Sequence, residues 1–349
     1  MRYAILTDIH ANYTALEAVL KDLPEDVQIW VLGDVVGYGP AVQAAKCLYW
    51  LRFQSDVEDR WIPGNHDECI VDALCQPTRD AATTLAVQRH FLQQPNSRSE
   101  WEWFCERVGS IIHNSIREDT LEIEEEEGSL VWRKFEATEE FPALAAAFSH
   151  ASAGKNERRL SYLYPWLRVL VRDELRKLRG LDPAPIICLL HGHTHFTSYA
   201  RLDLAGELDL LSIKYEKEET LEEGCYLICP GSVGQPRDGD PRAAYALFDP
   251  EMRTIEFRRV EYDIEAVVRD LQRERDNRET WATLERQKVK LEFEGGNGQT
   301  LSYPTYYHLA CSAYDSLIKR LRTGNGGPHL EAYNSKAYRR PEWDLEAVD

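Results

Sequence analysis

The chain has 349 residues, enough for one large catalytic domain plus an appended segment. With 43% hydrophobic and 29% charged residues it has a globular composition, which excludes a disordered, collagen-like or disulfide-scaffold protein. A formal net charge of −18 argues against broad nucleic-acid binding, which needs a basic face, but not against a phosphorylated substrate, because bound metal ions reverse the local sign.

The opening MRYAILTDIH reads directly as a strand and lacks the parts of a signal peptide. No apolar run approaches the ~20 residues that cross a bilayer, so a cytoplasmic protein without a membrane partner is expected. Five apolar runs then end in polar clusters: YAILTDIH, IWVLGDVVG, RWIPGNHD, LAAAFSHAS and IICLLHGHTH. Short apolar runs bounded by Gly, Pro or Asp predict buried strands. Helical patterns lie between them, at 14–23, at 40–53 after the first-turn residue Pro40, and at 156–179, where Pro165 breaks or kinks the helix. Further strands are predicted at 198–202, 225–229, 243–248 and 254–260, the last two alternating and joined by a DPEMR hairpin turn. Strands alternating with helices give an α/β fold, in which functional residues gather at the carboxyl ends of strands.

Beyond Asp263 the texture changes to a charged helix over 263–289, with Val267, Val268, Leu271, Trp281 and Leu284 inward, a GGNG break at 295–298 and an aromatic helix over 303–321. The eight cysteines are scattered and read as buried thiols of a reducing compartment. Cys225 and Cys229 lack the second pair that a zinc site needs, so they too read as core.

The polar clusters carry the chemistry. Asp8 and His10 alternate at the end of the first strand, so their side chains are expected on one face, able to grip one divalent ion. Asp34 follows Gly33 in GDVVGYGP, where the glycine permits close backbone approach and leaves the carboxylate free to bridge two ions. In PGNHD, Asn65 offers a neutral oxygen ligand, His66 can face the substrate, and Asp67 can fix the His66 tautomer. The same segment also reads as a capped helix start. In GHTH, His193 and His195 are expected on one face of an extended segment, while His191 reads as buried support. His150, followed by small residues in SHAS, is preferred over His113 as the remaining imidazole, and His90, His308 and His329 have no motif around them.

Taken in order, D-x-H, GD, GNHD, H and GHTH, with the tail PGSVGQPRDGDPRAAYALFD, resemble the calcineurin-like metallophosphoesterases, closest to the small bacterial and archaeal phosphodiesterase branch of YfcE-like proteins. The resemblance runs from Met1 to about Val260. It implies two mixed β-sheets packed as a sandwich and flanked by helices, with a catalytic domain over 1–262, a variable insertion or cap over 68–145 and a helical extension over 263–349. The insertion holds Trp101, Trp103 and the acidic run at 122–127, a solvated loop by composition.

By the same resemblance Asp8, His10, Asp34 and His195 hold one metal, and Asp34, Asn65, His150 and His193 a second. An oxygen and nitrogen donor set suits Mn, Fe, Zn, Ni or Mg, with manganese favoured. Two such ions about 4 Å apart share a hydroxide nucleophile, His66 serves as leaving-group acid and Asp67 orients it. Protein phosphatases of the superfamily carry arginines where this chain has Gly37-Tyr38 and Pro63, which favours a phosphodiesterase over a phosphomonoesterase or protein phosphatase. Arg237 or Arg242 can supply a replacement guanidinium. A hydrolase of cyclic or dinucleotides and a non-catalytic metal-binding scaffold are the competing readings, and the aromatic helix admits a homo-oligomer.

Overall fold

The computed structural model describes residues 1–53, 57, 60–71, 98–117, 130–151, 162–277 and 303–326. The elements open with β1 (Arg2–Leu6), α1 (Tyr13–Asp22), β2 (Val27–Leu32), α2 (Ala41–Phe53), β3 (Trp61–Ile62) and α3 (Asn65–Val71). They continue with α4 (Arg98–Arg117), β4 (Leu130–Phe135), β5 (Leu144–Ser149), α5 (Arg168–Leu181), β6 (Ile186–Leu190), β7 (Ser198–Leu202), β8 (Leu208–Leu210) and β9 (Glu218–Thr220). The last are β10 (Gly224–Cys229), β11 (Ala243–Asp249), β12 (Thr254–Val260), α6 (Ile264–Asp276) and α7 (Tyr303–Thr323).

The strands form two six-stranded mixed sheets, ordered β3-β2-β1-β11-β12-β9 and β4-β5-β6-β10-β7-β8. Successive side chains of a strand leave opposite faces, and the packing follows that period. Ala4 and Leu6 of β1 face a core shared with α1, α2 and α4, whereas Ile5 faces the core between the sheets. Leu144, Ala146 and Phe148 of β5 fill the same inter-sheet core, while Ala145 and Ala147 meet Leu175 and Leu178 of α5. Trp30 and Phe148 stack across the two sheets with centroids 4.0 Å apart. The result is helix, sheet, sheet, helix, as expected. With both faces of each sheet covered, central strands read as unbroken apolar runs.

Several expectations need correction. β11 does not alternate: Ala243, Tyr245 and Leu247 pack on the helix side and Ala246 and Phe248 between the sheets, so the whole strand is buried. The helix expected over 156–179 begins at Arg168, after Pro165, and residues 152–161 lie outside the described residues. Strands β4, β8 and β9 were not expected from the sequence. Trp101 and Trp103 pack beside Trp61 and Phe104 against the first sheet's outer core. The acidic run 122–127, Trp281, Leu284, the GGNG break, His90 and His329 lie outside the described residues.

The extension builds its own apolar core from Val267, Val268 and Leu271 of α6 and Tyr314, Leu317, Ile318 and Leu321 of α7. Asp263 caps α6 by accepting the Ala266 N–H at 2.9 Å. Among the described residues no helix is long and apolar enough to cross a membrane.

Candidate metal centre

The five polar clusters converge at one end of the sandwich. The loops after β1 and β2 are zipped by main-chain bonds, Asp8 N–H to Gly33 O at 3.0 Å and His10 N–H to Asp34 O at 2.8 Å. Asp8, His10, Asp34, His193 and His195 all have left-handed backbone, with φ from 47° to 64°. For residues with a β-carbon this conformation costs roughly 1–2 kcal/mol each, and it gathers at functional sites where the surroundings enforce it. The expected strand-like alternation of Asp8 with His10 and of His193 with His195 is thus replaced by tight turns. β1 ends at Leu6 and β6 at Leu190, and the loops beyond them aim the ligands.

Two glycines make that convergence possible. A β-carbon on Gly64 would fall 2.1 Å from Asp34 Oδ1, and one on Gly192 would fall 1.8 Å from Thr7 Oγ1. Neither position has room for a side chain.

Two ligand groups result, Asp8, His10, Asp34 and His195 in one and Asp34, His150 and His193 in the other, with Asp34 common to both. In the first, His195 Nε2 is 3.3 Å from Asp8 Oδ1, and His10 Nε2 is 3.6 Å from Asp34 Oδ2. In the second, His150 Nε2 is 3.3 Å from Asp34 Oδ2 and 3.1 Å from Asn65 Oδ1. All seven residues expected as ligands therefore meet, and Asn65 does so from the first turn of α3, so its helix-start and ligand readings hold together.

The donor set fits divalent ions. The Nδ1–H of His150 donates to Leu32 O and that of His195 to Gln235 O, both at 2.7 Å, which turns each Nε2 lone pair into the cluster. His150 Nε2 then faces two oxygen acceptors, and acceptors converge without cost only around a cation or a proton. His193 Nε2 is buried with no hydrogen-bond partner among the described residues. Asp8 is steadied by Thr7 Oγ1–H at 2.9 Å and by the His193 N–H at 3.0 Å. Asp34 Oδ1 accepts the His66 N–H at 2.8 Å, leaving Oδ2 toward both groups. Together these features form a dinuclear divalent-metal site.

The electrostatics agree. Burial pushes Asp8 up to about 7 and His193 down to about 3, and it holds His10 and His195 well below their usual range. Burial opposes charge on Asp34 as well, but the neighbouring rings of His150 and His66 win and hold that carboxyl well below its usual range. For His150 burial is likewise outweighed by the Asp34 charge, and the imidazole rises to about 10. The residue shared by the two groups thus attracts an imidazole turned toward it, where a dication would take the place of the proton.

His66 is half-buried at the edge of the cluster, its ring 5.1 Å from that of His10 and 4.3 Å from that of Tyr38. Asp67, expected to orient His66, is buried beside the ligand loops. Its oxygens accept the N–H groups of Val36 and Gly64, both at 3.0 Å, bracing the two ligand loops. Arg237 lies against the centre, its guanidinium 5.6 Å from the Tyr38 ring centroid and its terminal nitrogen bonded to Gln235 Oε1 at 2.8 Å. Arg242 turns away into an ion pair with Asp240 at 2.6 Å, so it is not the replacement guanidinium.

His191 is buried outside both ligand groups, with Nδ1 3.0 Å from Gly192 O, in keeping with a supporting role. The side chains of His113 in α4 and His308 in α7 lie outside the described residues. Cys225 and Cys229 are buried, and burial pushes the Cys229 thiol up to about 12, which suits core rather than metal binding. Thr7, Gln235 and Tyr162 were missed. Thr7 adjoins Asp8 and Gln235 sits in the quoted tail motif, whereas Tyr162, whose ring stacks 4.1 Å from that of His193, carries no local signal.

Residues 1–197 match the family model described as calcineurin-like phosphoesterase. The chain is 29% identical over 265 residues to an uncharacterized protein of Methanocaldococcus jannaschii, covering 75% of this chain and 88% of the relative. Among solved structures it is similar to a metallophosphoesterase from Sphaerobacter thermophilus, with 25% identity and a TM-score of 0.55 over 93% of this chain and 99% of the other. A hypothetical protein from Pyrococcus horikoshii OT3 matches over 80% of this chain and 95% of its own, at 17% identity and a TM-score of 0.49.

Proposed function

The chain belongs to the calcineurin-like phosphoesterases and is a metal-dependent phosphoesterase; within that family we propose that it is a phosphodiesterase working with two divalent ions, preferably manganese. The observation that carries the diester reading is the place of Tyr38 and Arg237. Where protein phosphatases of the superfamily have two arginines, this chain has Tyr38 and Pro63, and the Arg237 guanidinium lies over the Tyr38 ring. One guanidinium matches the single negative charge of a diester better than the double charge of a monoester.

Asp8, His10, Asp34 and His195 would hold one ion and Asp34, Asn65, His150 and His193 the other. Bound there, the ions supply Lewis acidity toward the phosphate oxygens and toward water. Two carboxylates among the ligands leave about two positive charges on such a centre, which draws an anionic phosphate despite the acidic chain. Arg237 binds a phosphate oxygen; burial opposes its charge, but Tyr38, Tyr162 and Tyr164 around it favour the charged form. His66 gives its proton to the leaving oxygen from Nε2, on the ring edge away from Gly37. Burial of the ligands excludes bulk water and strengthens each of these interactions.

A second reading, hydrolysis of a cyclic or dinucleotide, is supported by Tyr162. Its ring is 43% exposed and stacks on His193, offering aromatic surface to a nucleobase beside the centre. The free cysteines suit a reducing compartment, and we place the protein in the cytoplasm.

The test compares bis-p-nitrophenyl phosphate with p-nitrophenyl phosphate on protein stripped of metal and reloaded with Mn, Ni, Zn or Mg. Preferential metal-dependent cleavage of the diester supports the proposal. Preference for the monoester overturns it in favour of a phosphatase, and inertness toward both with every metal favours the non-catalytic scaffold.

A further inference from the structure

The helical extension reaches the Arg237–Tyr38 pair from two directions. After α7 the chain runs antiparallel to the Arg237 loop, with a bridge between Asp238 and Asn325. The Gly326 N–H donates to Arg237 O at 3.0 Å and the Gly239 N–H to Gly324 O at 2.8 Å. The approach is close enough that a β-carbon on Gly326 would fall 2.6 Å from Arg237 O. From beneath, the Asp238 carboxylate pairs with the buried Arg259 and accepts the Thr197 hydroxyl at 2.9 Å.

On the other side, Tyr38 packs against the core of α6 and α7 that contains Val268, Leu271, Tyr314 and Leu321. Glu274 of α6 also accepts the N–H of Ala41 at the start of α2, three residues beyond Tyr38, and the Tyr314 hydroxyl at 3.2 Å. The Tyr38 ring in turn lies 4.8 Å from that of His10. The Arg237 N–H donates to His195 O at 3.2 Å, so the Gly326 bond to its carbonyl is the second main-chain anchor of a loop between Gly234 and Gly239, and phosphate recognition requires a guanidinium held in place.

We propose that the α6–α7 extension is a positioning element of the active site, with Gly326 fixing the carbonyl side of the Arg237 main chain while His195 O holds its N–H. The extension sets substrate affinity through Arg237, while the metal-ligand candidates themselves come from other loops. This rests on the phosphodiesterase reading for its substrate but not for its geometry.

The experiment uses the full chain loaded with manganese and bis-p-nitrophenyl phosphate. Gly326→Val raises KM by about fivefold to tenfold, with kcat within about twofold and bound metal unchanged, as expected for a loosened substrate contact. In an Arg237→Ala background the same substitution adds less than about twofold, because the residue it acts through is gone. Amide exchange of the metal-free protein accelerates across 237–239 in Gly326→Val and stays unchanged at 8–10 and 193–195. If Gly326→Val does not fold, Leu321→Ala loosens the end of α7 and must show the same pattern. An unchanged KM, or an equal effect with and without Arg237, overturns the proposal, as does unaltered exchange at 237–239. Wild-type protein inert toward the diester would defeat the phosphodiesterase reading, while the exchange measurement, which needs no turnover, would still decide the positioning.

Discussion

The Nε2 atoms of His10 and His195 lie 3.1 Å apart, with their rings stacked at 4.8 Å between centroids. Gln235 O holds the proton of His195 on Nδ1, so the Nε2 lone pair of His195 points at His10. In metal-free protein a proton on His10 Nε2 bridges the pair; a cation held by these two nitrogens would move that proton to His10 Nδ1 without releasing it. Net exchange of metal for protons at this centre falls instead to Asp8 and His150.

That exchange predicts a pH dependence. Burial raises Asp8 to about 7 and the Asp34 charge raises His150 to about 10 against the effect of burial, so at pH 6 both carry protons that a metal must displace. Affinity falls as pH falls through 7, by about tenfold per unit for each proton released. Calorimetric titration with Mn between pH 6 and 8, in buffers of different ionisation enthalpy, should show proton release, and a pH-independent affinity would contradict this.

Gly64→Ala should damage the centre out of proportion to its size. The new methyl group would lie 2.1 Å from Asp34 Oδ1 and 2.4 Å from Asp34 N, so the carboxylate common to both ligand groups must move. Overpacking costs about 1–3 kcal/mol in stability, and the displaced ligand should cost at least about a hundredfold in kcat. Thermal unfolding and metal content measured together should show a folded protein with weakened metal retention.

His66→Gln should lower kcat by about a hundredfold or more for esters with poor leaving groups. It should matter far less for p-nitrophenyl esters, whose leaving group departs without a proton. An equal loss on both substrate types would move His66 from proton donor to structural support.

Glu274 links the extension to pH. Burial raises it to about 7 from an ordinary 4.5, although the Ala41 N–H and the Tyr314 hydroxyl favour its charge. The folded protein therefore holds an extra proton between these values, and stability falls as pH rises across that window, by about 1–3 kcal/mol. Denaturant unfolding at pH 5 and pH 8 should show that Glu274→Gln has a smaller fall than wild type.

Much of the centre was legible in the sequence because each ligand sits in a short local motif. Asp8, Asp34, Asn65, His150, His193 and His195 all follow apolar runs, and the order of motifs does the rest. The backbone that aims them was not legible. Left-handed turns at Asp8 and His193 are imposed by neighbours distant in sequence, such as Asp8 O accepting the Gly234 N–H, and strand alternation was the wrong local guide. Edge strands β8 and β9 are only three residues each, too short to show a period. The contact between Gly326 and Arg237 joins residues far apart in the chain and leaves no pattern in either segment.

If Asp34 serves two metal ions at once, metal stoichiometry and turnover must change together between wild type and Asp34→Ala. Wild type should hold about two manganese ions per chain and the variant fewer than one, with diester hydrolysis lost by about a thousandfold or more. An Asp34→Ala protein that keeps both ions, or that keeps its activity, would contradict it.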